Sequence, residues 1–398
     1  MDSGELPIGR RVAQWRARRR MTQQMLADRL GKSKSWVDKV ERGVRALDRF
    51  SVIQDLAEVL RVDTTALLGR DARPATSTGV EGVDGVWAAL GCYDMFPAGQ
   101  GRRPMVPVRE LGRRVEHAWL TYQHAHYPQL VRLVPDLIGG ARSAHTAAGD
   151  EVTGLLVQVY RVTASVLVKL GEPDVAWLAA DRAVTVAAGD PVWTAVAAVP
   201  LGQALRGAGR GRLASAATIA AAHRITATVP HDASPTELAL RGTLWVEAAL
   251  AAASYRDARS VAEWIGQAAE IAERVDDGQD HHRSGFGPAA VQVARVAAAV
   301  ELGDGGEAVV RHEEAVRMNG WRRLPVEHRA AHLVDAARAY LQVGDLLRAG
   351  RVLTEADRIA PAEVRLRPLA RTVIAEVARC RPVPAGVAHL ATAIGLTR

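Results

Sequence analysis

Cysteine is nearly missing: Cys92 and Cys380 are the only two in 398 residues, with no CxxC spacing, so no disulfide framework holds the fold and a reducing compartment is expected. Phe (3) and Tyr (6) are scarce while Ala, Leu and Val are abundant, a balance that suits packed helices better than sheets. Long hydrophobic runs are absent as well. The longest uncharged apolar stretch, Pro191 to Leu205, is interrupted by Pro200 and falls short of the ~18 residues that a bilayer requires. No basic-then-apolar leader precedes Leu6, and a soluble, cytoplasmic protein is the expectation. No Gly-rich phosphate loop, nucleophile elbow or paired-acid motif occurs, so an enzyme reading has no residues to stand on and no cofactor is expected. Lysine is the last shortage, with four of the 51 basic residues, and three of those four, Lys32, Lys34 and Lys39, lie within eight positions.

What is present is unevenly placed. Residues 1 to 70 hold 15 Lys or Arg against 9 Asp or Glu, a net +6, whereas the other 328 hold 36 against 35. A small basic module on a near-neutral body is the charge layout of a polyanion-binding head on a sensing or assembling body. The length itself calls for two or more domains.

Five short helices fit the head. Ile8, Val12, Trp15 and Arg19 follow helical spacing, with Arg10, Arg11, Arg16 and Arg18 on the other face. Thr22 is a good N-cap for a second helix carrying Met25, Leu26 and Leu30, and Gly31 ends it. The third opens within Lys32-Ser33-Lys34-Ser35, where either serine can cap, buries Val37 and Val40, and stops at Gly43. Ser51 and Gln54 form a capping-box pair ahead of a fourth helix with Val52, Ile53, Leu56 and Leu60, and Asp63 caps a fifth that ends at Gly69.

This pattern resembles the xenobiotic-response-element (XRE) type of helix-turn-helix domain found in phage repressors and many bacterial regulators. The residues that carry the resemblance are Thr22-Gln23, Leu26-Ala27, Gly31, Ser35-Trp36-Val37, Val40-Glu41-Arg42-Gly43, Leu56-Ala57, Leu60, Val62 and Leu67-Leu68-Gly69. One position departs from the family, Met25 standing where Glu or Gln often completes the cap. The resemblance implies that the third helix enters the major groove of double-stranded DNA with Lys34, Ser35 and Lys39 reading base edges. It also implies that Gln23, Arg42, Arg45 and Arg49 hold phosphates. Trp36 is either a further DNA contact or a packing residue beside Val37.

Residues 70 to 84 are small and polar and read as a linker, followed by a short apolar segment from Val86 to Phe96. From about residue 110 the chain repeats itself. Ala339-Tyr340, Gly344-Asp345, Ala349, Ala356 and Pro361 match the second half of a tetratricopeptide (TPR) repeat. Taking the Gly as origin and asking for Ala five and twelve residues later gives Gly171/Ala176/Ala183, Gly209/Ala214/Ala221, Gly303/Ala308/Ala315 and, with Asp in place of Gly, Asp257/Ala262/Ala269. Gly allows the tight interhelical turn, and the two Ala let the helices approach. The resemblance implies a superhelix whose concave groove takes peptides, protein segments or small molecules. Trp193 and Trp245, on first helices of their pairs, are the candidate groove residues. Asp276-Asp277-Gly278-Gln279-Asp280-His281-His282 fits no metal-site spacing and reads as an exposed inter-repeat loop.

The fold class expected is all-α: a five-helix XRE-type head over residues 1–70, a linker with a short helical segment over 71–109, and a TPR-like α-solenoid for sensing and dimerisation over 110–398. The function expected is sequence-specific transcriptional regulation by a homodimer on a near-palindromic operator, controlled by a peptide or small-molecule effector. A DNA-bound scaffold that recruits a protein partner and an antitoxin-type repressor are the alternatives. The Arg- and Ala-rich composition resembles that of regulators from GC-rich actinobacteria.

Overall fold

The computed structural model describes residues 8–19, 21–45, 47, 50–60, 67, 82–92, 106–228, 233–380 and 383–396. Among these there are twenty α-helices and no strand, so the fold is all-α. The chain divides into two compact units, 1–77 and 78–398.

In the first unit, α1 (Ile8–Arg18), α2 (Gln23–Leu30), α3 (Lys34–Glu41) and α4 (Phe50–Leu60) enclose a core of Val12, Leu26, Ala27, Val37, Ile53, Leu56, Leu60 and Leu67. Gly9 fixes how α1 meets α3, because a Cβ there would lie 2.0 Å from the carbonyl oxygen of Val40. The fourth helix already includes Phe50, which puts Ser51 inside the helix rather than at its N-cap. The segment around Asp63 lies outside the described residues.

The second unit opens with α5 (Val83–Gly91), the apolar segment of the expected linker. It buries Val83, Val86 and Leu90 against the body rather than hanging free of it. Six antiparallel helix pairs follow: α6 (Val108–Gln123) with α7 (Tyr127–Ala148), α8 (Asp150–Leu170) with α9 (Pro173–Val186), and α10 (Pro191–Gly207) with α11 (Gly211–Thr228); then α12 (Pro235–Ser254) with α13 (Ala258–Ala272), α14 (Pro288–Leu302) with α15 (Gly305–Arg317), and α16 (Val326–Gln342) with α17 (Leu346–Ile359). Each first helix touches the first helix of the next pair, and each second helix packs on the next first helix, which is the layout of an α-solenoid. Three shorter helices, α18 (Pro361–Arg365), α19 (Pro368–Arg379) and α20 (Ala385–Ala393), close the C-terminal end.

The turns obey the Gly-Ala-Ala pattern with one correction. Gly171, Gly209, Gly303 and Gly344 are all left-handed, with φ from +73° to +87°, and the two alanines of each copy are buried. In the third copy the left-handed residue is Arg256, at φ +60°. Asp257 is the N-cap of α13, accepting from the amide of Ser260 at 3.1 Å, just as Asp304 and Asp345 cap α15 and α17. The repeat is therefore displaced by one residue, and Val261 and Ala268 are the buried pair while Ala262 is exposed. An Asp followed by a helix is a capping signal, and its fixed place after the turn outweighs the Ala spacing in an Ala-rich chain.

The solenoid curls until α16 touches α6, and charges close the seam. Lys169, the one lysine outside the head, puts its ammonium 2.8 Å from Glu327 Oε2 and 3.0 Å from Glu363 Oε1. Arg367 also reaches Glu363 at 2.8 Å, and the Tyr127 hydroxyl donates to the other Glu363 oxygen. Burial opposes the charged form of Lys169, but the two carboxylates outweigh it and raise its pKa. By length and composition α8 is apolar enough to cross a bilayer; here it is a core helix whose buried Arg161 and half-buried Lys169 have their partners inside the protein.

Candidate nucleic-acid interface

The geometry of α2 and α3 comes from short-range capping. Thr22 Oγ1 accepts from the amide of Met25 at 3.1 Å, so the cap forms without the family's acidic third residue. Gly31 turns the chain at φ +62°, a conformation that costs other residues a Cβ clash. Ser33, rather than Ser35, caps α3, accepting from the amide of Trp36 at 3.1 Å. Gly43 ends the segment at φ +74°.

Helical rotation then sorts the side chains of α3. Val37 and Val40 are buried, and so is Glu41; Lys34, Ser35 and Lys39 are exposed and share an arc of about 140° at 100° per residue. Asp38 lies within that arc, paired with Arg42 at 3.3 Å. Trp36 is half-buried against the head core. Arg42 and Arg45 are exposed beyond the helix end, the amide of Arg45 donating to the carbonyl of Lys39 at 3.0 Å. Arg49 lies outside the described residues.

A buried cluster fixes α3 from behind. Glu41 accepts from Arg16 through both oxygens, at 2.6 and 3.0 Å, and from the Gln23 side-chain amide at 2.8 Å. Arg16 also donates to the carbonyl of Met21 at 2.8 Å. The hydrogen bond from Arg16 to Glu41 holds the guanidinium pKa above its ordinary value, against the opposing effect of burial. Three helices are thus tied at one carboxylate. The sequence reading put Arg16 on a polar face and gave Gln23 only a phosphate role. The signal it passed over is that Glu41 follows Val37 by four residues, on the buried side of the helix, where a carboxylate needs partners.

An exposed cationic arc on a doubly capped second helix, behind a Gly turn, in a head of net +6, is the geometry of a DNA-binding helix-turn-helix. Residues 7–68 match the family model of the helix-turn-helix domain. The first unit of the chain thus carries a helix-turn-helix domain, a DNA-binding class. No match is found among curated proteins. Among solved structures, that of Bacillus thuringiensis PlcR in complex with the peptide PapR7 and DNA resembles the chain at a TM-score of 0.37 and 14% identity, over 78% of this chain and 92% of that one.

The two tryptophans singled out in the body have different surroundings. Trp193, in the first turn of α10, lays its ring over Gly154 of α8, where a Cβ would come within 2.4 Å, and meets His282 edge-on at 6.3 Å. Trp245 of α12 is buried and meets His223 of α11 edge-on at 5.3 Å. The segment expected to be an exposed loop is drawn in at its far end. His281 and His282 are half-buried, and Asp280 accepts from Gln123 of α6 at 2.7 Å. The curl of the solenoid brings α6 and α8 to this loop, which spacing along the chain does not reveal.

Proposed function

We propose that the chain is a cytoplasmic, sequence-specific transcriptional regulator of the XRE type. Its head reads operator DNA through Lys34, Ser35 and Lys39 and holds phosphates through Gln23, Arg42, Arg45 and Arg49. The observation that carries this reading is the exposed Lys34–Ser35–Lys39 arc on a helix anchored by the Arg16–Gln23–Glu41 cluster. Gln23 reaches phosphate through its backbone amide at the start of α2, since its side chain serves Glu41. The body, as a TPR-like sensor and dimerisation domain, binds a peptide or small-molecule effector near Trp193 or Trp245 and sets the spacing of two heads on a near-palindromic site. A two-fold dimer places the two recognition helices about 34 Å apart.

Genome-wide mapping of bound DNA tests this. The expected result is a motif of two inverted half-sites about one helical turn apart. Binding without a shared motif, or a single half-site with a strictly monomeric protein in light scattering, refutes it.

A further inference from the structure

The loop that joins α13 to α14 is half-buried over residues 280–285 and meets a buried cation of α8. Arg161 of α8 is 3% exposed; its guanidinium lies 4.9 Å from the Trp119 ring centroid and donates to the carbonyl of His282. Burial lowers its pKa to about 10, and the charge that works most against this is Asp280 of the same loop. The loop thus brings Arg161 a carboxylate, a carbonyl acceptor and an imidazole set edge-on to Trp193.

The fit is incomplete. Trp119 Nε1, Gln158 Oε1 and His282 Nε2 are buried without a hydrogen-bond partner, although such groups are nearly always paired in native interiors. His282 and Arg283 are successive non-glycine residues with φ of +49° and +56°, a conformation that side chains disfavour. The ends of the loop are fixed independently. Asp277 accepts from the amide of Ala289 at 3.0 Å, and the Phe286 ring fills the space over Gly242, where a Cβ would come within 2.0 Å of it. Between these ends, residues 280–285 are held to α6 by Gln123 on Asp280 and by Glu116, which pairs with Arg283, and to α12 by Thr236, whose hydroxyl lies 3.0 Å from His281 Nδ1.

We propose that residues 280–285 are a built-in occupant of a carboxylate-binding site floored by Arg161 and Trp119, and that an effector bearing a carboxylate next to an aromatic ring displaces them. An incoming ligand that expels the loop removes Asp280 and the His282 carbonyl from Arg161, so it must itself supply an anionic acceptor, and Trp193 supplies the aromatic wall that His282 vacates. A bidentate carboxylate satisfies more of the guanidinium than one carbonyl does. This deepens the effector reading given above, and it concerns binding in the absence of DNA, so its failure leaves operator recognition by the head standing.

The test uses the full chain and two pairs of probes that separate the sources of such a group: phenylacetate with phenylacetamide, and the peptide acetyl-Ala-Asp-Phe-amide with its Asp→Asn counterpart. Binding is read by tryptophan fluorescence and calorimetry, and loop release by hydrogen exchange of residues 280–285. The acidic member of at least one pair should bind at least tenfold more tightly than its neutral partner and speed exchange in the loop. The Gln123→Ala/Arg283→Ala double variant, freed of its ties to α6, should bind that probe about tenfold more tightly than the parent protein, a gain that damage to the fold does not produce. Arg161→Met should lose the preference for acid. Equal binding of acid and neutral probes, no binding of any probe to the double variant, or no gain on releasing the loop overturns the proposal.

Discussion

Replacing Lys169 with Met removes the cation at the seam of the solenoid while keeping most of the side-chain volume. Its ammonium lies 2.8 Å from Glu327 and 3.0 Å from Glu363, which are 2% and 0% exposed. At an effective dielectric of about 20, each contact is worth about 5–6 kcal/mol of attraction before the cost of burying the ammonium. Removing one member of such a buried cluster costs about 3–5 kcal/mol net. Arg367 continues to serve Glu363, so the loss falls on Glu327, whose remaining partner is His328 at 3.1 Å, and the lower end, about 3 kcal/mol, is expected. The pH dependence follows from Glu327. Burial alone would raise its pKa, but His328 and Lys169 together hold it below the ordinary carboxylate value of 4.5. In the parent protein that depression contributes stability above about pH 4.5, lost as the pH falls through the folded-state pKa. Lys169→Met removes two of the influences that oppose burial, and the expectation is that burial then outweighs His328 and Arg367, raising the folded-state pKa of Glu327 above the unfolded one so that protonation favours folding. The penalty of Lys169→Met should therefore be largest near pH 8 and, on the way down to pH 5, shrink by about 1.4 kcal/mol for each pH unit below the variant's folded-state pKa. Urea unfolding followed by circular dichroism and body tryptophan fluorescence at both pH values measures this. A penalty below about 1 kcal/mol, or one independent of pH, refutes the reasoning.

Lys34→Ala and Lys39→Ala should each weaken operator binding by about 1–3 kcal/mol and relax base choice at one position. Arg42→Ala should weaken all sequences alike and reduce the salt dependence; equal losses on operator and scrambled DNA in anisotropy titrations remove the lysines from base reading. Gly9→Ala drives a Cβ to 2.0 Å from the Val40 carbonyl oxygen, so the head should lose about 1–3 kcal/mol or more and its DNA binding with it. The body's thermal transition should stay in place, and unchanged operator affinity would contradict the close approach of α1 to α3. Arg256→Gly relieves a left-handed residue at φ +60° and should stabilise the body by about 0.5–1 kcal/mol. Its exposed hydrogen bond to the carbonyl of Leu302, at 3.3 Å, offsets little of that, and a lower melting temperature would refute the one-residue displacement of the third repeat.

The elements legible in the sequence are those whose cause lies within a few residues. Thr22 and Ser33 cap the helices that begin just after them, and Gly31 and Gly43 turn the chain because they lack a Cβ. Four of the six turns within the helix pairs are likewise marked by glycine and two alanines, so the helix-turn-helix and most of the succession of helix pairs are determined locally; the turn between α6 and α7, where Ala125 is left-handed at φ +57°, carries no such mark. The turn of the third Gly-Ala-Ala copy lies one residue from where its spacing puts it, because Arg256 occupies a left-handed conformation that its side chain does not advertise. Tertiary structure alone decided what the solenoid holds inside. Lys169 and Glu363 are 194 residues apart in the chain, and Arg161 and His282 are 121 apart; neither pair has a local signature, since a charged residue in an apolar helix is the same letter whether it faces water or a distant carboxylate. Only the curl that brings α16 to α6 makes those charges partners, and the same curl draws the far end of the Asp276–His282 segment, Asp280 to His282, half-buried against α6 and α8.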